Sequence, residues 1–466
     1  EVAAVAVKTV GADVSGVVSG QEARELPLNG RNFMQLTFLQ PGVVSDEGMN
    51  SRDKGLAGGS DVSVSGGSTT ANVWTVDGAN NNDVGSNRTI LVYPSVDAIE
   101  EFKIQRNNYG AEFGQAGGAH VNLVTRGGTN EFHGSAYYYA RRDKFNSIDY
   151  FLEQAGQEKA PLKWDDFGGT FGGPIIKDKL HFFYSQEWNK DKKSDVRVSR
   201  VPTEAERRGD FSSPIPGCNP GTPIDPLTGQ PFPGNIIPAN RISPGGLLMM
   251  QQMSLPNTTP SSGCNNWTEA VATPISWRQE NARLDWTVNN STRVMLRYTQ
   301  DSWKSDQNLW GDDPFPSVSS VWNQPGKILV AQLNKNIGST MVNSLTFSYS
   351  MNRIEVQRGG SDPELATRLG AAIPTLFDSD IKQRQGQGMP MANWGSMGDY
   401  GGGVLWNQAP WLNNQDLFVV KDDYSAVFGK HFIKAGVLLS YNKKNEEVNN
   451  TSQESVQVNG VRGFLG

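Results

Sequence analysis

The side chains of this sequence that could carry chemistry are few and scattered. Its four histidines follow none of the spacings of metal ligands, and no cysteine or carboxylate joins them in a recognisable pattern. They are His120, His133, His181 and His431. No GxSxG, HExxH, CxxC or phosphate-binding loop occurs. The sequence therefore predicts no enzyme, no metal site and no cofactor.

An oxygen-rich segment, Asp77–Asp83, resembles a calcium-binding loop at first sight. It lacks the glycine at the sixth position and the glutamate at the twelfth that an EF-hand requires. We interpret it as a solvated loop.

The only two cysteines, Cys218 and Cys264, lie in surroundings rich in Pro, Gly and Asn. Such loops suit one disulfide in an oxidising compartment, and two unpaired thiols are the alternative. A bridge would close a loop of roughly 45 residues and requires Cα atoms within about 7 Å of each other.

Composition narrows the class of protein. The chain has 466 residues, 37% of them hydrophobic, with 51 Gly and 25 Pro. No run of about 18 apolar residues occurs, which excludes a helical membrane protein. A transmembrane β-barrel stays open, because its strands alternate between lipid and lumen and average to a polar composition. The net charge of −6 gives no reason to expect nucleic acid.

From Phe132 onward, predicted strands come in pairs, each joined by a tight turn that contains Gly, Asn, Asp or Ser. The pairs are Lys163–Pro174 with Leu180–Asn189, Trp277–Val288 with Arg293–Trp303, Ile328–Asn336 with Val342–Ile354, and Leu417–Phe428 with Phe432–Asn442.

Within these strands the hydrophobic period is two. Leu284, Trp286 and Leu296 alternate with charged residues such as Arg283 and Arg297. The pattern predicts one apolar face, directed to lipid, and one charged face, directed to a lumen. A soluble β-sandwich would show the same alternation.

Loop lengths favour the barrel over the sandwich. Connections within a pair take a few residues, whereas those between pairs are long: about Arg142–Leu162, Lys190–Ser276, Lys304–Gly326 and Arg353–Asn414. Alternation of short and long loops is typical of a transmembrane barrel, and loops this long are uncommon in compact domains. A sandwich with four oversized loops at one end is the remaining alternative.

The sequence before Phe132 has a different character, since Gly and small polar residues dominate from Gly48 to Asn87. Ser95 is a candidate helix N-cap. Strands are predicted at Val62–Ser65 and Val73–Val76, and helices at Asn32–Leu39 and Ser95–Phe102. This part is predicted to be a separate small α+β domain.

An ordered series of motifs runs through the chain. In the first domain it comprises Glu25–Phe33, Leu39–Val43, Val76–Gly78, Ser95–Phe102, Tyr109–Gly114, Gly117–Gly118 and Val121–Thr125. Beyond it follow Gly168–Pro174, Val201–Thr203, Gly209–Phe211, Asp225–Gly229 and Ile237–Arg241. In order and spacing the first domain resembles the plug of TonB-dependent receptors, in particular the Oar-like group.

The resemblance implies a small α+β plug domain followed by antiparallel transmembrane β-barrel strands, in the cell outer membrane of a Gram-negative-type bacterium. It divides the chain into a coupling segment or linker at 1–20, a plug at 21–130 and the N-terminal part of the barrel at 131–466. Such receptors close a barrel of about 22 strands. About nine are predicted here, so we expect an incomplete barrel and a chain cut at both ends.

The plug motifs supply candidate site residues with a structural or a gating role. The glycines would allow close backbone approach, the charges would bridge to a polar lumen, and direct ligand contact is the alternative. The set is Asn29, Gly30, Arg31, Asp77, Gly78, Glu100, Glu101, Gly114, Gly117 and Gly118. Tryptophans Trp310, Trp322, Trp394, Trp406 and Trp411 either grip a ligand or form the girdle at the membrane interface.

The first residues loosely resemble the segment by which such receptors contact TonB, through Glu1, Val2, Val5 and Val7. That contact is a strand addition to a periplasmic partner, and a linker is the equal alternative. The resemblance implies a TonB-type periplasmic energy-coupling protein, outer-membrane lipid and an unknown extracellular ligand as partners, with no nucleic acid.

The function implied is that of an outer-membrane receptor that binds a ligand at its extracellular face and imports it through a plugged β-barrel. A non-transporting surface adhesion or scaffold protein on the same plugged barrel is the alternative. Siderophore, cobalamin, glycan, peptide and protein all stay open as ligands.

Overall fold

The computed structural model describes the chain in segments separated by gaps. They are residues 13–45, 54, 61–114, 116–148, 158–159, 161–216, 218, 221–251, 254–258, 264–305, 320–358, 391–393, 404–405, 411–448 and 455–457.

The first domain contains seven described strands: β1 Val14–Ser19, β2 Val43–Ser45, β3 Val62–Val64, β4 Val73–Val76, β5 Ala79–Asn80, β6 Ile99–Asn107 and β7 His120–Thr125. Five of them form a sheet of order β1-β6-β7-β4-β5, and β2 and β3 form a separate ribbon. In the sheet the β4–β7 pair is parallel, and the other pairs are antiparallel. Helix α1, Gly20–Glu25, begins with a capping box between Ser19 and Glu22.

Short 3-10 helices fill many of the connections. They are Asn29–Arg31, Phe33–Leu39, Thr69–Ala71, Val96–Ala98, Asp143–Phe145, Pro233–Asn235 and Ala239–Arg241. Asn32 caps the second of them by accepting a hydrogen bond from the Met34 amide at 3.0 Å.

The helix predicted at Ser95–Phe102 is wrong in extent. Ser95 does cap a helical turn, accepting from the Asp97 amide at 3.3 Å, but that turn ends at Ala98 and the chain continues as β6. Ile99, Phe102 and Ile104 are fully buried there between neighbouring strands. Sheet pairing overrode the local cap signal, because the apolar residues gain more by packing in the sheet than a short helix could offer.

Strand β1 lies within the range 1–20, for which a coupling segment or linker was expected. It pairs with β6 from Val14↔Asn107 to Ser19↔Glu101, so the plug sheet starts at Val14. The core beneath the sheet combines apolar residues of strands and 3-10 helices, among them Phe33, Leu36, Trp74, Ile99 and Phe102.

The remaining strands form the second part of the molecule. They are β8 His133–Arg142, β9 Leu162–Ile176, β10 Leu180–Ser199, β11 Trp267–Asn289, β12 Thr292–Ser305, β13 Ser320–Ile337, β14 Met341–Arg358, β15 Met391–Asn393, β16 Val404–Leu405, β17 Trp411–Phe428, β18 His431–Val448 and β19 Ser455–Gln457. Strands β15, β16 and β19 make a small separate sheet.

The nine long strands form one antiparallel sheet of order β18-β17-β14-β13-β12-β11-β10-β9-β8. All four predicted hairpins are present, with longer strands than predicted. Gly338 and Gly429 stand at two of the turns with φ of 66° and 59°, values that favour glycine. Within the described residues, β8 pairs only with β9 and β18 only with β17, so the predicted open sheet is confirmed.

The predicted register of this sheet is confirmed. Leu284, Trp286 and Leu296 lie outward with 39–48% of their surface exposed, whereas Arg297 is 1% exposed and Arg283 half-buried on the inner face. The plug sheet packs against that inner face. In the part of the chain that is described, no helix has the length and apolarity to cross a bilayer.

The long connection between β10 and β11 folds into a lobe of its own. Helices α2, Glu204–Arg207, and α3, Pro244–Met250, lie in it. Cys218 and Cys264 are joined there by a disulfide with Cα atoms 5.7 Å apart. The guanidinium of Arg200 donates to both carboxylate oxygens of Glu206 at 2.7 and 2.9 Å inside the lobe.

Candidate functional site: the plug–barrel interface

Asp77 is the centre of the first charged cluster between plug and sheet. It stands in the turn between β4 and β5 with φ of 47°, followed by Gly78 at 79°, and aspartate and glycine are residues that tolerate this conformation. The Thr125 amide and hydroxyl donate to its two carboxylate oxygens at 2.9 and 2.7 Å. These bonds fix the carboxylate so that it points out of the plug.

Two arginines of the sheet meet that carboxylate. Arg297 Nε lies 2.9 Å from Asp77 Oδ2, and Arg283 Nη1 lies 3.6 Å from Asp77 Oδ1. Arg297 also donates to the carbonyl of Val76 at 2.9 Å, and Arg283 to that of Thr125 at 2.6 Å. The side chain of Arg297 is fully buried, so its charge depends on this plug contact.

Arg31 makes the second charged cluster with opposite polarity, because here the plug supplies the cation. Its Nε lies 3.2 Å from Glu187 Oε2 on β10, and its Nη2 pairs with Asp97 within the plug. The guanidinium sits 4.5 Å above the ring of Tyr137 and 5.0 Å above that of Tyr139, both on β8.

Glu187 is held by further donors. The Ser95 hydroxyl donates to its Oε2 at 2.6 Å and the Tyr137 hydroxyl at 2.5 Å. Burial disfavours the charge on Arg31, but Glu187, Tyr137 and Asp97 outweigh it and raise the pKa of Arg31 above its ordinary value. Arg31 therefore keeps its charge at any physiological pH.

Lys54 makes the third cluster, and its side chain is fully buried. Its ammonium group pairs with Asp301 on β12 and donates to the carbonyl of Gln324 at 3.0 Å. Asp301 also accepts from the amides of Tyr93 and Gly326, each at 3.1 Å. Burial lowers the pKa of Lys54, and Asp301 opposes that shift by favouring the charged form.

Sequence reasoning missed this pair. The inward position of Asp301 could be deduced from its even spacing to Arg297, but no signal distinguished Lys54 from other charges in its glycine-rich segment.

Gly326 brings the backbones of plug and sheet into direct contact. A Cβ added to it would lie 2.8 Å from the carbonyl carbon of Leu91, and nearer still to the oxygen. Only glycine fits at this approach. Two hydrogen bonds extend the contact toward β14, from Ser350 Oγ to the Asn80 carbonyl at 2.8 Å and from Asn352 Nδ2 to Asp83 at 3.1 Å.

Of the other residues singled out from the plug motifs, Asn29 also reaches the sheet, since its Oδ1 accepts from Arg141 Nη1 at 2.9 Å. Gly30 turns the chain with φ of 63°. Glu100 is exposed and Glu101 half-buried on β6, and neither forms an ion pair among the described residues.

The three later glycines differ from one another. An added Cβ at Gly118 would lie 2.5 Å from Asn72 Oδ1, which is close approach as expected. At Gly117 it would meet Ala71 at an ordinary 3.5 Å, and at Gly114 it would meet nothing within 4 Å. The expected crowding therefore applies to Gly118 only.

Several further expectations can be located. The segment with Glu1, Val2, Val5 and Val7 lies outside the described residues, as do Trp310, Trp394 and Trp406. Trp322 and Trp411 are buried on the inner face of the sheet, so they do not form an interfacial girdle.

Among the described residues, no group of three or more His, Cys, Asp and Glu side chains could hold a metal ion. His120 is buried in the plug, where burial, helped by Lys421 and Lys103, lowers its pKa to about 4. It is neutral at physiological pH. The Asp77, Arg31 and Lys54 clusters together form the interface by which the plug docks on the sheet.

A small mixed sheet held by ion pairs against the inner face of an antiparallel sheet, whose outer face is apolar, defines a plugged outer-membrane barrel. The family model described as outer membrane beta barrel domain matches residues 124–464. The chain belongs to this family, and it is a member of the TonB-dependent transporters of the outer membrane.

Two curated relatives are similar to part of the chain. The TonB-dependent transporter Oar of Myxococcus xanthus is 33% identical over 159 residues, which are 33% of this chain and 14% of Oar. The probable TonB-dependent siderophore receptor PirA of Acinetobacter baumannii is 29% identical over 124 residues, 26% of this chain and 15% of PirA.

Two solved structures share the fold. The outer membrane transporter YddB of Escherichia coli superposes with a TM-score of 0.59 at 12% identity, over 95% of this chain and 50% of YddB. The siderophore receptor PirA of Acinetobacter baumannii gives a TM-score of 0.52 at 13% identity, over 94% of this chain and 49% of that protein. The chain thus spans about half the length of these structures.

Proposed function

We propose that this protein binds a ligand at its extracellular face and imports it through the barrel when energy coupling from the periplasm rearranges the plug. The observation that supports this most is the Asp77 cluster, in which a buried cation of the sheet, Arg297, is neutralised by the plug alone. Such a contact is costly to break and specific to one docked arrangement.

The arrangement suits a two-state plug. The Asp77, Arg31 and Lys54 clusters join plug and sheet through charges and hydrogen bonds that water can replace once the interface opens. The apolar cluster around Phe33 and Phe102 continues into the inner face of the sheet at Trp277, and its plug part stays together while the contacts across the interface exchange. Displacement of the plug would therefore be a shift between two discrete states.

Coupling requires a partner on the periplasmic side. We place its contact in the first seven residues, through Glu1, Val2, Val5 and Val7, as an added strand that pairs with a TonB-type protein. PirA is named a probable siderophore receptor, and its likeness covers about a quarter of this chain.

The test uses cells that express the full-length protein with its natural coupling system. Val5→Pro removes an amide that a paired strand needs, whereas Val5→Thr keeps a β-branched residue and serves as the control. Uptake is expected to stop in Val5→Pro cells and persist in Val5→Thr cells, with equal amounts of both proteins at the surface.

Ligand binding at the cell surface, measured beside uptake, distinguishes import from the alternative function. An adhesion or scaffold protein would keep its binding in both variants and show no energy-dependent uptake in either. That result would contradict the proposal.

A further inference from the structure

The inner face of β11–β14 and β17 carries a second feature, nearer the ends that bear the long loops. Indole and carboxamide side chains lie there on β11, β12, β13 and β17. We call this the amide–indole band and define it by Trp277, Trp303, Trp322, Trp411, Gln324 and Gln415.

Strand pairing makes the band continuous. Trp277 is paired with Trp303 and Trp303 with Gln324, and the rings of Trp322 and Trp411 meet edge to face with centroids 6.1 Å apart. Five strands at about 4.8 Å spacing give a strip roughly 19 Å long. The plug packs against the band: the Tyr93 ring lies 4.8 Å from that of Trp277, and Lys54 donates to the backbone carbonyl of Gln324 at 3.0 Å.

The two carboxamides of the band have no hydrogen-bond partner among the described residues. Gln324 and Gln415 are fully buried, yet in that part of the chain neither the oxygen nor the nitrogen of either side chain is paired. Asn352 is paired with Gln415 across the strands, and Asn413 lies two residues before Gln415 on β17. Their side-chain oxygens are likewise buried and unpaired among the described residues. A buried amide without a partner destabilises a fold, so a row of them calls for partners that the described residues do not supply.

The described charges that reach the band are paired with one another. Asp301 is neutralised by Lys54. Glu446 on β18 accepts from Trp411 Nε1 at 3.1 Å and lies 3.3 Å from Lys444 Nζ. Among the described residues, an anionic ligand such as a ferric catecholate would therefore find no unpaired cation here, and the termini of a short peptide would find no unpaired counter-charge.

We propose that the amide–indole band lines the transport path and recognises a neutral linear oligosaccharide. The C–H faces of a sugar ring pack on flat indole surfaces, and its hydroxyls both donate to and accept from carboxamides, which offer both groups. The inference rests on the proposed function and names the class of its substrate.

The experiment measures initial uptake of radiolabelled maltohexaose, cellohexaose and xylohexaose by cells that express the full-length protein. Uptake of at least one of them should exceed that of cells without the protein. The double variant Gln324→Leu with Gln415→Leu should reduce the rate about tenfold, because each leucine removes both hydrogen-bonding groups of an amide. The control Gln300→Leu, on the outer face of β12, should leave it unchanged.

The amount of protein at the surface and its resistance to protease are measured for each variant. Gln415→Asn keeps the amide but shortens its reach, so an intermediate rate of sugar uptake is expected. A ferric catecholate and an uncharged peptide serve as further probes. If either is imported with energy dependence and none of the three sugars is, the band inference is overturned while the proposed function stands. Sugar uptake that persists in Val5→Pro cells would overturn the proposed function and leave the band supported. Equal sugar uptake in wild type and double variant would also overturn the band.

Discussion

Removal of the Asp77 charge offers a direct measure of how firmly the plug is docked. Asp77→Asn keeps the shape of the side chain, tolerates the positive φ of 47° and still accepts from the Thr125 amide. It leaves Arg297 fully buried without its counter-charge. Loss of one partner of a buried ion pair costs about 3–5 kcal/mol, so the undocked state should become at least about 100-fold more populated.

Hydrogen exchange of the full-length protein in detergent measures that population. The amide of Tyr93, which donates across the interface to Asp301, should lose about two decades of protection in Asp77→Asn. The matched control is Asp285→Asn. Asp285 also pairs with an arginine of this cluster, Arg283, but is about a third exposed, so its loss should cost less than about 1 kcal/mol.

A double variant separates charge from shape. Asp77→Asn combined with Arg297→Met removes both charges, and replacement of a whole buried pair by neutral groups is often neutral for stability. Protection should therefore return most of the way to that of the wild type. If the double variant is as unprotected as Asp77→Asn, or if Asp285→Asn opens the plug equally, the assignment of Arg297 as a charge held by the plug is refuted.

Four further predictions concern other parts of the molecule. Gly326→Ala should undock the plug, because the new Cβ would clash with the backbone carbonyl of Leu91, and protease cleavage of the plug should therefore increase. Cleavage at the wild-type rate would contradict the close approach. Replacement of Cys218 and Cys264 by Ser should destabilise the β10–β11 lobe by about 3–4 kcal/mol, seen as faster proteolysis of that lobe alone. The pKa of His120 is about 4 in the folded plug and about 6.5 in the unfolded chain. Its contribution to plug stability is therefore complete above pH 6.5 and is lost as the pH falls toward 4. Acid unfolding of a His120→Gln variant should not show this loss. Leu296→Arg should cost about 2–4 kcal/mol of membrane insertion if the site lies near the midplane, measured by refolding into vesicles, with insertion equal to the wild type as the contrary result.

The hairpins and their faces could be predicted from the sequence because both depend on local rules. A period of two places Leu296 and Arg297 on opposite faces wherever the strand lies, and glycine at 429 satisfies a tight turn by its own conformational freedom. The ends of the strands could be predicted less well. Strand β10 runs to Ser199, ten residues beyond its predicted end, because polar residues stay in the ladder as long as neighbouring strands supply partners.

The plug was harder to predict. Ser95 signalled a helix start correctly, yet the three-dimensional neighbours of Ile99 and Phe102 turned the next residues into a strand. Only the plug residues of the charged clusters could be recognised in the sequence. Arg31 and Asp77 stood out through the motifs, but their partners lie more than 100 residues away, at Glu187 and Arg297, and no local pattern reports such distances.

The two kinds of inner-face chemistry have different consequences for a moving plug. Charges such as Arg297 and Glu187 find their partners in the docked plug, so they favour the closed state and penalise its loss. The carboxamides of the amide–indole band, Gln324 and Gln415, have no such partners, so displacement of the plug costs them nothing. A ligand that satisfied these amides would bind the displaced state more tightly than the docked one, and this differential affinity would offset part of the cost of breaking the charged clusters. Energy coupling would then need to supply only the remainder.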